Sequence, residues 1–180
     1  MRYAVKNHFR IVIDLMSQEN SSHRFSVNVE RFKALGIVDP KSKSAHDAYD
    51  HHEFSSSERL FFKLWGNEQL KSGIFSPGQK VAEKGEHPVF AQVIIAGEVV
   101  VTDKNGEHFF GPGSVFGLAE GLCDKVYDWD AVATTLVTTK VIPIERALRE
   151  VLRLNTGLKG ICRFTVMRIL GLTTPPASLL

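Results

Sequence analysis

Between Ile74 and Glu145 the chain alternates short apolar runs with glycine-marked turns. Gln79–Glu83 runs to Gly85, Phe90–Ile95 to Gly97, Val99–Asp103 to Asn105-Gly106, and His108–Phe110 to Gly111. After the stretch 109–117, Leu118–Cys123 has the look of a short helix, and Ala131–Val137 and Lys140–Ile144 of two further strands. Short runs at this spacing, closed by turn residues, predict an all-β barrel or roll. The expected core includes Val93, Ile95, Val115, Phe116, Ala133 and Ile142.

Helical periodicity flanks this roll. Ser26–Leu35 places Val29, Phe32 and Leu35 on one face, with Ser26 or Asn28 as cap and Gly36 as stop. Ser55–Glu58 opens a second helix, whose stripe is Leu60, Phe61, Leu64 and Trp65. Beyond the roll, Arg146–Leu154 and Leu158–Leu170 read as two helices parted by Asn155-Thr156-Gly157. In the second, Leu158, Ile161, Cys162, Thr165, Val166 and Ile169 share a face, and Pro175-Pro176 follow its end. His8–Leu15 fits a strand or a helix equally. The fold class expected is therefore mainly β with flanking helices. The expected division is an N-terminal, α-containing extension over 1–54, the roll with its helices over 55–172, and a tail over 173–180.

Charge and composition narrow the function. The 180 residues are 43% hydrophobic and carry a formal net charge of +2, too small alone to argue for nucleic acid or an anionic membrane. No run is long and apolar enough to span a bilayer, and Arg2, Lys6, Arg10 and Asp14 interrupt any signal-peptide core. Two cysteines, Cys123 and Cys162, make neither a disulfide framework nor a zinc spacing. A reduced, cytoplasmic protein is the expectation.

Metal and catalytic chemistry find little footing. His46, Asp47, Asp50, His51, His52 and Glu53 are suitable metal donors, but they lie in a polar stretch that reads as a solvated loop. His87 and His108 stand near turns of the roll without a His-x-His pair. No nucleophile–base pair or paired carboxylates fall on the strands, so no enzyme is expected.

The segment 77–145 resembles the cyclic nucleotide-binding domain family, the β-roll of the catabolite activator protein and of protein kinase A regulatory subunits. Pro77-Gly78, Gly85-Glu86, Gly97-Glu98 and the run Phe110-Gly111-Pro112-Gly113-Ser114-Val115-Phe116-Gly117 carry the likeness. Ala131–Thr135 and Lys140–Arg146 match its last strands and the helix after them. The resemblance implies a double-stranded β-helix, or jelly roll, with a phosphate cassette at Gly117, Leu118, Ala119, Glu120, Gly121, Trp129, Asp130 and Ala131.

It also implies a chemistry. Helix N–H groups face the cyclic phosphate, an arginine pairs with it, and a glutamate after Phe-Gly accepts the ribose 2′-hydroxyl. Here the glutamate position is Leu118, the arginine position is Trp129, and Asp130 replaces a small residue. Losing both contacts costs more than about 4 kcal/mol, near a thousandfold in affinity. The N–H groups of Leu118–Gly121 and the charge of Lys125 can hold an anion weakly, and Glu120 and Asp124 oppose it. Trp129 either stacks on a ligand or fills the space the arginine vacates.

The expected function is a non-enzymatic regulatory or sensor module with weak or no binding of cAMP or cGMP. The alternative is a protein-interaction or dimerisation module with a vestigial pocket. Expected partners are a small anionic ligand and a second copy through helix 158–170. No DNA-binding domain and no membrane are expected.

Overall fold

The computed structural model describes residues 24–34, 47, 49–51, 54, 56–65 and 70–180. Readings made for His8–Leu15, Leu35–Gly36, His46, His52 and Glu53 lie outside them. Nine strands are present among the described residues: β1 Phe25–Ser26, β2 Ser72–Phe75, β3 Lys80–Ala82, β4 Phe90–Ala96, β5 Val99–Asp103, β6 Gly106–Phe110, β7 Ser114–Phe116, β8 Asp130–Ala133 and β9 Val137–Pro143. They form two antiparallel sheets, ordered β1-β7-β4-β9-β2 and β3-β8-β5-β6. The helices are α1 Val29–Ala34, α2 Ser56–Trp65, α3 Leu118–Leu122, α4 Ile144–Arg153 and α5 Thr156–Ile169, followed by a 3₁₀ turn, Ala177–Leu179. The architecture is a mainly β roll with flanking helices.

Strand β4 explains why there are two cores. Its β-branched run suits a pleated strand, and both of its faces are covered. Val93 is fully buried among residues of α2, α3, α4 and α5, whereas Ile94 is fully buried between the two sheets beside Val99, Val101 and Val137. Burying such a side chain contributes about 2 kcal/mol. Gln92, a buried polar side chain of β4, is satisfied at both ends. Gln92 Nε2 donates to the Val81 carbonyl at 3.1 Å, and Thr139 Oγ1 donates to Gln92 Oε1 at 3.1 Å.

Several expectations change in detail. The helix expected over Ser26–Leu35 starts at Val29, because Ser26 pairs with Ser114 in β1. Asn28 is its cap, with Oδ1 accepting from the Arg31 N–H at 2.9 Å. Ile95 is only half-buried, because a register shift between Ile94 and Ala96 turns it from the strand's regular alternation. The strand expected over Ala131–Val137 is two strands. It breaks after Ala133 because the Thr134 N–H and hydroxyl both donate to the Glu98 carbonyl, at 2.9 and 3.0 Å, and the Glu98 N–H donates to Thr135 Oγ1 at 2.9 Å. Those bonds turn the chain into β9.

Residues 25–32 and 178–179 are worked into this frame. Phe25, Val29 and Phe32, within the expected extension 1–54, join the helix-side core with Leu60, Phe61 and Leu64 of α2. In the expected tail, Leu179 is fully buried and Ser178 Oγ donates to the Leu122 carbonyl at the end of α3, at 2.6 Å.

Candidate functional site

The residues singled out by the sequence gather around α3. Gly117 makes the turn from β7 into this helix with φ 78°, a left-handed value that favours glycine. A side chain there would also collide: a Cβ would lie 2.5 Å from the Tyr127 hydroxyl oxygen and 2.9 Å from the Phe90 carbonyl. Gly121, one turn on, lets Ile144 of α4 pack against the helix; an added Cβ would stand 2.6 Å from its Cγ1. Leu118 and Ala119 are buried in the helix-side core, so Leu118 is a packing residue. Ala131 is fully buried on β8.

Glu120 and Trp129 meet. The indole Nε1 donates to Glu120 Oε1 at 3.2 Å. The ring packs against Tyr127, 4.5 Å between centroids, and edge-on to Phe116 at 6.0 Å. Glu120 is 4% exposed. Burial raises its carboxyl pKa above the ordinary value. Its own backbone N–H, the indole and the Gly117 N–H pull the other way, while Asp128 adds to the rise. The same burial raises the Tyr127 phenol. Asp130 is not part of this contact. Its Oδ1 accepts the Lys84 N–H at 3.1 Å and ties β8 to the loop after β3.

This arrangement can be tested against a cyclic nucleotide. A phosphate needs a cation or several free N–H donors. Trp129 presents an indole whose donor is spent on Glu120, and a carboxyl group supplies a phosphate with no counter-charge. Leu118 offers no acceptor for a ribose hydroxyl. The residues present do not fit the group. Lys125, the candidate substitute charge, is exposed, and its backbone N–H closes α3 on the Glu120 carbonyl at 2.9 Å.

The chain is similar to several solved structures. The cAMP-bound form of the EAL enzyme Bd1971 aligns with 18% identity and TM-score 0.48, over 55% of this chain and 28% of that one. The regulatory subunit of a cAMP-independent protein kinase A from Trypanosoma brucei aligns with 19% identity and TM-score 0.44, over 79% of this chain and 44% of that one. The catabolite activator protein from Thermus thermophilus aligns with 18% identity and TM-score 0.45, over 61% of this chain and 56% of that one. No family model matches the chain, and no curated protein does. The chain's own architecture is a two-sheet roll with a short helix between β7 and β8 and a helix pair leaving β9.

The remaining candidates fall elsewhere. His87 faces Asp124 at 3.6 Å and His108 faces Asp103 at 3.4 Å, each pair at the surface. Of the 46–53 stretch, the described part holds a turn in which the His51 N–H donates to the Asp47 carbonyl at 2.9 Å. Among the described residues no three of His, Cys, Asp and Glu come together as a metal would require. Burial pushes the Cys162 thiol up to about 12 and also raises Cys123, so neither is a ready nucleophile at neutral pH. No helix among the described residues is long and apolar enough to cross a membrane. Sequence reasoning missed Tyr127. Its only signal was an aromatic two residues before Trp129.

Proposed function

We propose that this chain is a non-enzymatic regulatory module of the cytoplasm whose roll holds its phosphate cassette shut with its own side chains. The observation that carries the reading is the Trp129–Glu120 hydrogen bond in a buried setting. In this reading Trp129 fills the space that phosphate and arginine share in the family, and Glu120 adds a repelling charge. Regulation then runs through the helices α4 and α5 rather than through a tightly held nucleotide. Titration calorimetry with cAMP and cGMP tests it. Binding is expected no tighter than the high micromolar range, about −5 to −6 kcal/mol. A submicromolar dissociation constant for either nucleotide overturns it.

A second reading, association of two copies through α5, rests on what that helix leaves outward. Leu158, Cys162 and Val166 are buried within the chain, so the stripe expected for a dimer is largely spent on the chain's own core. What remains outward is Phe164 at 68% and Ile161 at 36% exposure. Sedimentation equilibrium at high micromolar concentration decides: a dimer that Phe164→Asp converts to a folded monomer supports it, and a monomeric wild type rejects it.

A further inference from the structure

Arg24 stands just before β1. Its guanidinium carbon lies 4.2 Å from the centroid of the Phe110 ring, and Nη1 makes a long 3.5 Å bond to the Phe109 carbonyl. Its Nε is buried and has no hydrogen-bond partner. A native protein rarely leaves such a donor unanswered. Burial lowers the Arg24 pKa, and no carboxylate offsets it.

Arg24 borders a cleft of about 140 Å³ between β1 and α5. Among the described residues its polar lining is Arg24, Ser26, Thr165 and Arg168, and none of these is acidic. Among the described residues no carboxylate pairs with either guanidinium. Thr165 Oγ1 donates its proton to the Ile161 carbonyl at 2.9 Å, which leaves the two arginines as the charged donors. The apolar wall includes Phe25 and Leu60 of the helix-side core, whereas Trp129 packs on the core between the sheets. The cleft and the cassette are thus separate places.

We propose that this cleft binds a small phosphate-class oxyanion, with Arg24 and Arg168 as its donors. Guanidinium groups present planar, fixed N–H forks suited to phosphate oxygens and carry their charge at every physiological pH. A water needs only about 10–15 Å³ of such space, so the cleft has room for a phosphate with the first atoms of an ester. The source is either free phosphate or a small phosphomonoester.

The test uses the full chain. Inorganic phosphate and glycerol 3-phosphate are titrated separately by calorimetry, with chloride at matched ionic strength as control. Wild type should bind at least one of them with a dissociation constant in the millimolar range or tighter. Arg168→Gln, at an exposed position, should weaken that binding at least tenfold while its circular dichroism and melting profile in chloride stay those of wild type. Arg24→Gln should do the same, but its contact with Phe110 makes Arg168→Gln the deciding variant. Preference for glycerol 3-phosphate assigns an ester, and equal binding assigns free phosphate. If neither anion binds better than chloride, or if Arg168→Gln binds as wild type does, the proposal is wrong. Because the cleft shares no residue with Gly117–Ala131, either result leaves the cassette reading standing.

Discussion

Glu120 and Arg24 are both ionisable side chains drawn into the protein, and they are treated differently. Glu120 has an answer built from its own chain: the Trp129 indole at 3.2 Å, with the backbone N–H groups of Glu120 and Gly117 also favouring its charge. Arg24 has a ring face, one long carbonyl contact and a buried Nε with nothing to bond. A satisfied buried group stabilises a single arrangement, while an unsatisfied one costs free energy until something binds it. The glycine-rich turn over 111–117 leads to the satisfied group. The unanswered donor lies where no such motif points. A motif of glycines specifies the path of the backbone; the chemistry is set by the side chains that the path brings together.

The largest effect expected on the cassette side comes from Gly117→Ala. The substitution puts a side chain at φ 78°, 2.5 Å from the Tyr127 hydroxyl oxygen and 2.9 Å from the Phe90 carbonyl. Left-handed strain and the clash together should cost about 3 kcal/mol, read as a lowered midpoint in urea. A loss under about 0.5 kcal/mol, the scale of an ordinary surface change, would mean that the turn tolerates Cβ and that Tyr127 is free to move. No equivalent constraint is expected at the cleft, where Arg168 is exposed.

That turn was legible in the sequence, because Gly117 closes a β-type run just before a short helical stretch, where a left-handed φ favours glycine. The surrounding strands were legible for a similar local reason: glycine or Asn-Gly closes each run within a few residues. What lay hidden depends on distant partners. Three-residue β7 reads as part of a glycine-rich loop until Gln92 and Val93 on one side and Phe25 on the other are seen to pair with it. Phe25–Ser26 belongs to a strand only because Ser114 and Val115 lie beside it, some ninety positions on. The break after Ala133 depends on Glu98, and the packing of Trp129 on Tyr127 depends on the roll closing first. The sequence placed Glu120 and Trp129 nine positions apart but not in contact, and held no sign of the cleft, because Arg24 and Arg168 line it only through tertiary packing.

Glu120→Gln sharpens the cassette side by pH. The folded carboxyl pKa is raised above the ordinary 4.5. A raised folded value means that stability is fully present below the unfolded pKa and falls as pH rises through the folded one. Glutamine imitates the protonated acid, and its amide oxygen keeps an acceptor for the indole. The variant should therefore match wild type below about pH 4.5 and become the more stable of the two as pH rises, with a plateau above the folded pKa. Urea midpoints from pH 4 to pH 8 measure this. A variant less stable than wild type at pH 7, with a gap that widens as pH rises, would show that the three donors outweigh burial and that the carboxylate is a favoured ion.

The smallest effect is expected from Lys125→Ala, and it bears on whether any cation serves an anion at α3. If a cyclic nucleotide were held by a substitute cation, Lys125 is the nearest one in sequence to α3. Its contribution visible in the fold is made by the backbone: the N–H donates to the Glu120 carbonyl at 2.9 Å, a bond that alanine retains. The ammonium belongs to an exposed residue, and an exposed charge not held in a fixed geometry contributes little. Stability should therefore change by no more than about 0.5 kcal/mol, and nucleotide affinity by less than about twofold, or roughly 0.4 kcal/mol. Parallel calorimetric titrations of wild type and Lys125→Ala with cAMP make the comparison. A tenfold loss in the variant would show that the lysine reaches an anion at α3. The cassette would then resemble the β1–α5 cleft, with a cation awaiting its partner, and the contrast between the two regions would fail.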